Sequence, residues 1–116
     1  MPDTFAYLAT PYSKYPGGLE AAYREACRAA NLVREMRARI RVYCPIETSH
    51  PIAMSLRIDP LDHAFWMSVC RPFMERADRL IVVKMMGWQD SRGIAEEIQA
   101  FEAMGKPIEY LDWPLG

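Results

Sequence analysis

Leu80-Ile81-Val82-Val83, followed shortly by Gly87-Trp88-Gln89-Asp90-Ser91-Arg92-Gly93-Ile94-Ala95-Glu96-Glu97, is the stretch that decides the fold. Four apolar residues, three of them β-branched, read as a buried strand. A polar loop then turns the chain. Helix formers run from Gly93 to Met104, with Gly105 as the C-terminal stop. An uninterrupted apolar strand that feeds a helix is the building unit of a parallel sheet. Ligands of such sheets bind beyond the carboxyl ends of the strands. Ser91, Gly93 and Glu97 therefore stand at the first place to search for a site.

The flanking sequence repeats the pattern. Phe5-Ala6-Tyr7-Leu8-Ala9 reads as a short buried strand, closed by the loop from Thr10 to Gly18. From Leu19 to about Arg39 the residues favour helix, and Ala22, Ala26, Ala29, Val33 and Met36 recur at three- and four-residue steps. Arg41 to Ile46 reads as a second strand ended by proline, and Glu47 to Pro51 as a loop. Asp59-Pro60 has the form of a helix start, with a helix expected from Pro60 to about Arg76 and bent or split at Pro72. Pro107 to Leu111 reads as the last strand. The order β-α-β-α-β-α-β with right-handed crossovers predicts a flavodoxin-like three-layer α/β/α domain over residues 1–116, with a mostly parallel sheet of four to five strands.

Composition narrows the function classes. The 116 residues suffice for one domain, and 51% apolar with 25% charged residues are globular proportions. A net charge of -1 offers no general attraction to a nucleic-acid polymer or an anionic membrane. No apolar run approaches membrane-spanning length, and no signal-peptide pattern is visible. Cys27, Cys44 and Cys70 are odd in number and widely spaced, which argues against a disulfide framework and points to a cytoplasmic setting. Cys27 and Cys44 read as small core fillers. His50 and His63 lie too far apart in sequence for a metal signature, so neither a metal nor another cofactor is expected. No GxxxxGK[ST] and no GxGxxG after the first strand is present.

Parallel strands bring their C-terminal loops to one edge, which would gather Thr10, Tyr12, Ser13, Glu47, Ser49, His50, Trp88, Asp90, Ser91 and Arg92. Glu97 reads either as a helix-surface charge favoured by the dipole or as a presented nucleophile, with Glu96 as competitor. Ser91 and the helix start offer donors to a phosphate or sugar oxygen, and Gly93 admits close approach. Tyr7 reads as core or pocket lining, and Tyr12 as a stacking or packing ring. His50 is a loop histidine with a structural alternative, and Trp88 is placed at the mouth. Phe65-Trp66-Met67 is apolar and reads as a pocket wall or an oligomer seam.

Four blocks carry a resemblance: Tyr7-Leu8-Ala9-Thr10-Pro11-Tyr12, Ala77-Asp78-Arg79-Leu80-Ile81-Val82-Val83, Ser91-Arg92-Gly93-Ile94-Ala95-Glu96-Glu97-Ile98 and Gly105-Lys106-Pro107-Ile108. In this order they resemble the nucleoside 2-deoxyribosyltransferases and related nucleotide N-glycosidases. Gly87-Trp88 before the serine is closer still to short bacterial and phage domains of unknown function grouped with that superfamily. The resemblance implies that Glu97, not Glu96, is the nucleophile that attacks the anomeric carbon of a deoxyribose. A glycosyl-enzyme intermediate follows, which water or a second base resolves. Serine at 91 resembles the enzymes that take nucleoside 5′-monophosphates, in which this loop contacts the phosphate.

The sequence departs from that family in two places. The aspartate expected on the middle helix, eight residues before Asp78, is Cys70 here, and Thr10 stands where glycine or serine is usual. Asp62, eight residues before Cys70, and its neighbour His63 are the candidates to substitute for that aspartate if the helix is shifted or bent at Pro72. The resulting expectation is a nucleoside or nucleotide N-glycosidase or deoxyribosyltransferase. Its catalytic residues would be Glu97 and Asp62, with Tyr7, Thr10, Tyr12, His50, Trp88, Ser91 and Gly93 around the substrate. The alternative is a non-catalytic nucleotide-binding or sensor domain of the same fold. By resemblance, the chain is expected to form a homo-oligomer, a dimer or tetramer.

Overall fold

The computed structural model describes residues 4–37 and 40–114. Four strands, β1 (Ala6–Ala9), β2 (Val42–Tyr43), β3 (Arg79–Lys84) and β4 (Ile108–Asp112), form one sheet in the order β2-β1-β3-β4. Every pairing is parallel, with Tyr7 opposite Tyr43 and Leu80, and Leu80 opposite Ile108. Four helices connect or flank the strands: α1 (Leu19–Met36), α2 (Pro45–Leu56), α3 (His63–Arg76) and α4 (Arg92–Ala103). This is the expected three-layer α/β arrangement, with four strands.

Alternation along the central strands explains the layers. Ala6, Leu8, Ile81 and Val83 face α1, where Ala26, Ala29, Ala30 and Val33 let the helix approach closely. Tyr7, Ala9, Leu80 and Val82 face the opposite way, onto Cys70 and Met74 of α3 and Ile94 and Phe101 of α4. The α1 face ends sooner than its periodicity suggests. Val33 is buried but Met36 is 55% exposed, and Arg37 caps the helix. The expected helix end near Arg39 lies outside the described residues. Cys44 is a buried core filler as expected, whereas Cys27 is only half-buried.

Two expectations fail between β2 and α3. The strand expected over Arg41–Ile46 is only two residues long, and the expected loop Glu47–Pro51 is helical. Pro45 occupies the first helical turn, where its missing N–H costs nothing. Pro51 lies inside the helix and removes one bond to the carbonyl four residues back. Tertiary contacts compensate: Arg34 donates to both oxygens of Glu47, at 2.8 and 3.0 Å, and also to the Val42 carbonyl. The middle helix then starts at His63 rather than at Pro60. Asp59 Oδ1 accepts from the Leu61 N–H in a preceding turn, and Asp62 is the true N-cap.

Gly87 has a geometric reason to be glycine. Its φ is +92°, and a Cβ there would meet the Lys14 carbonyl oxygen at 2.2 Å. It thereby fastens the loop after β3 to the loop after β1.

Candidate functional site

The neighbouring strands β1 and β3 send their chains to opposite edges of the sheet, so the strand order reverses between them. A crevice forms at such a switch point, and here it opens into a cavity of about 350 Å³. That is within the usual range for a small-molecule site. Thr10, Tyr12, Ser13 and Lys14 after β1 form one wall, and Ser91, Arg92, Gly93, Ile94 and Glu97 at the start of α4 form another. α2 adds Pro45, Ile46 and Ser49, while α3 and its lead add Leu61, His63, Trp66, Met67 and Cys70.

Glu97 lies deepest. On α4, Ile94, Glu97 and Phe101 share the face turned to the sheet, so the helix period itself carries the carboxylate inward. Glu97 is 7% exposed, and Tyr7 Oη donates to its Oε2 at 2.5 Å. Burial pushes the Glu97 carboxyl up from its ordinary 4.5 to about 7; the Tyr7 bond opposes this and Glu96 adds to it. Tyr7 is fully buried between the rings of Tyr43 and Phe101, each 5.6 Å away. Burial and then the Glu97 charge hold its hydroxyl well above 10, so it stays a donor.

Cys70 completes this floor, its thiol among the Tyr7 and Tyr43 hydroxyls. Burial raises it, so the thiol is neutral at ordinary pH. Glu97 is the only carboxylate among the described residues lining the cavity.

The rim is electropositive and rich in donors. Ser91 caps α4, its Oγ accepting from Ile94 N at 3.2 Å, which leaves the hydroxyl proton free to donate. Arg92 follows it on the same wall, and Lys14 lines the wall after β1. Gly93 is an ordinary helical residue without positive φ, and its use here is the missing side chain at the wall. Thr10 is 6% exposed, and its hydroxyl has no hydrogen-bond partner of normal geometry; the Cys44 thiol is its nearest polar company.

Two histidine assemblies flank the cavity. Tyr12 Oη and His50 Nδ1 are 2.6 Å apart, and His50 Nε2 lies 3.0 Å from Glu20 Oε1. His50 is buried, stacked on Tyr23 at 4.6 Å. Burial and then Glu20 push the Tyr12 hydroxyl up to about 12, so the assembly fixes Tyr12 as a neutral donor. On the other side His63 Nε2 pairs with Glu96 Oε2, and Arg92 Nε lies 3.6 Å from Glu96 Oε1. The His63 hydrogen bond, above the other influences, holds Glu96 below its ordinary value.

The structure thus gathers Thr10, Tyr12, Ser91, Gly93 and Glu97 around one cavity, with Tyr7 directly beneath Glu97. His50 stands behind Tyr12 and does not line the cavity. Trp88 is also not at the mouth: a single 3-10 turn over Trp88–Asp90 carries its ring to Tyr110 on β4, at 5.8 Å. Asp62 is outside as well. Its Oδ1 accepts from Phe65 N at 3.2 Å as the cap of α3, and the residue is exposed. Ser49, Trp66 and Met67 line the cavity as expected, Phe65 does not, and Lys14 is a wall residue that the sequence reading did not single out. Proline at position 45 was the signal for a helix that would carry Ser49 to the wall.

Among the described residues, no group of three or more His, Cys, Asp or Glu is placed to hold a metal ion. No helix among them is long and apolar enough to cross a membrane. Fold and site define a doubly wound α/β domain with an acid-floored cavity at its switch point. The chain belongs to the family described as a domain of unknown function, DUF1937, whose model matches residues 4–112. No curated protein matches it.

Proposed function

We propose that the protein binds a nucleoside or nucleotide and cleaves its N-glycosidic bond, by hydrolysis or by transfer to a second base, with Glu97 as nucleophile. The observation that carries this reading is a single buried carboxylate on the floor of a cavity at the sheet's switch point, held by Tyr7. A carboxylate so placed can attack an anomeric carbon and stabilise an oxocarbenium-like transition state. Ser91, the α4 start, Lys14 and Arg92 suit a phosphate on the sugar. The apolar walls around Trp66 and Met67 suit a base. The likeness of the four sequence blocks to the deoxyribosyltransferase superfamily supports the same reading.

The test is base release from a panel of deoxynucleosides and their 5′-monophosphates. Wild type is expected to release base, with 5′-monophosphates preferred, and Glu97→Gln to lose at least ~1000-fold. No release by wild type, or equal release by Glu97→Gln, refutes the enzymatic reading.

A second reading, a nucleotide-binding sensor without turnover, is favoured by the neutral Cys70 and the lack of a second carboxylate in the cavity. It predicts nucleotide-dependent thermal stabilisation with intact ligand recovered afterwards. In either reading we propose self-association through α3. Phe65, Val69 and Phe73, four residues apart on that helix, are 46%, 39% and 39% exposed. Light scattering should give a dimer or tetramer mass, and a monomer mass at 50 μM (a concentration on the order of those at which weak homodimers form) would refute it.

A further inference from the structure

A base leaving a sugar departs poorly as an anion, so bond cleavage at neutral pH needs a proton donor as well as a nucleophile. Asp62, one of the two candidates to carry that proton, is occupied as a helix cap outside the cavity. The remaining wall groups can be weighed by chemistry. Burial pushes Cys70 up and Tyr12 up to about 12, so neither gives a proton readily. Arginine never gives one. Histidine is the side chain suited to proton transfer near neutral pH.

His63 lines the cavity from the first turn of α3. Its Nε2 is held by Glu96, and its Nδ1 makes no hydrogen bond among the described residues. The His63 bond, above the other influences, holds Glu96 below its ordinary value, and the ionised carboxylate fixes the ring from Nε2. Four other charged groups lie near: Arg92 beside Glu96, Glu97 deeper on α4, Lys14 on the opposite wall, and Asp62 preceding the ring but turned to Phe65 N–H.

We propose that His63 is the general acid of the reaction and that Glu96 positions it, so that a histidine–carboxylate pair stands in for the second carboxylate the cavity lacks. The step balances. Glu97 forms a bond to the anomeric carbon, and the C–N bond breaks with its electron pair going to the base. The imidazolium proton passes from Nδ1 to a base nitrogen. In the second half, neutral His63 takes a proton from the attacking water, the hydroxyl bonds to the anomeric carbon, and Glu97 leaves as carboxylate.

This rests on the glycosidase reading, and one experiment separates their failures. Wild type, His63→Gln, Glu96→Gln and Glu97→Gln are assayed on a deoxynucleoside 5′-monophosphate and on a nitrophenyl deoxyriboside 5′-phosphate, whose leaving group needs no proton. His63→Gln should lose ~100-fold or more in kcat on the nucleotide and less than about threefold on the nitrophenyl compound. Glu97→Gln should lose both activities. Glu96→Gln should keep nitrophenyl turnover within about threefold and lose ~10-fold or more in kcat on the nucleotide. Equal losses by His63→Gln on both substrates, or none on either, overturn the proposal while leaving Glu97 in place. Wild type inactive on both, or active Glu97→Gln, overturns both readings. Thermal melts of each variant identify any that fail to fold, and for these His63→Asn replaces His63→Gln.

Discussion

Glu97 makes the stability of this protein fall with rising pH, in a window set by its own titration. In the unfolded chain its carboxyl ionises near 4.5, whereas in the folded chain burial delays ionisation to about 7. Between those values the folded state binds more protons than the unfolded state, so stability declines as pH rises. Below the window both states are protonated, and above it both are ionised, so the loss is complete beyond about pH 7.5. At about 1.4 kcal/mol per pH unit, the cost of the buried charge is ~3 kcal/mol. In a chain of this size 1 kcal/mol moves Tm by about 4 °C, so the full effect is ~12 °C. Glu97→Gln isolates it, because the amide fills the same space and can still accept from Tyr7 Oη. Glu20, Glu96 and Glu109 are held below their ordinary values, act at lower pH in the opposite sense, and are common to both proteins. Urea unfolding from pH 4.5 to 8.5 should show the two proteins equal at the acid end. At the alkaline end Glu97→Gln should be more stable by ~3 kcal/mol. Parallel curves across the range, or a variant that grows less stable with pH, would refute the buried-acid account.

Tyr7→Phe removes the donor that favours the Glu97 carboxylate, so it should move that titration above about 7 and cost ~1–3 kcal/mol at pH 8 by urea unfolding; an unchanged midpoint would count against the bond. Gly87→Ala forces a left-handed alanine against the Lys14 carbonyl and should cost ~2 kcal/mol or more, checked by the same measurement; a change within ~0.5 kcal/mol would show that the two loops are not fastened there. Cys70→Asp places a second carboxylate beside Glu97 and Tyr7, so the pair should retain one proton above pH 7 and the decline in stability should extend to higher pH; a pH profile superimposable on wild type would show that the two groups do not interact.

How far the sequence could be read depended on whether a segment's structure is local. β1, β3, β4, α1 and α4 were legible because apolar runs and small-residue periodicity each admit one burial pattern, and the corner from Val83 to Glu97 announced the site. The segment from β2 to α3 was not. Pro51 argues locally against helix, yet the Arg34–Glu47 fork, made from a different helix, holds the chain helical. Asp59-Pro60 has the local form of a helix start, yet Asp62 three residues on supplies the cap. Trp88 was misplaced for a related reason. A glycine at positive φ followed by a 3-10 turn redirects an indole in a way that residue spacing does not encode. His63 could be seen as a candidate but not as a partner of Glu96, since that pair joins α3 to α4 across 33 positions.

The same distinction bears on Cys70, which stands where the resemblance to the deoxyribosyltransferases leads one to expect an aspartate. Two carboxylates sharing one desolvated floor cannot both ionise near neutral pH, so one would hold a proton and serve as acid to the other. With a thiol at 70, no second carboxyl shares the titration of Glu97, which burial raises to about 7. In the proposed reaction, nucleophile and acid would thereby be uncoupled, and an acid elsewhere would not be tied to the nucleophile's titration. Such a site would be active only where Glu97 is ionised, a range bounded on the acid side by the burial of that residue. A binding-only domain would have no such range of activity. A rate profile whose acid limb follows Glu97 therefore separates catalysis from binding more sharply than affinity for any nucleotide.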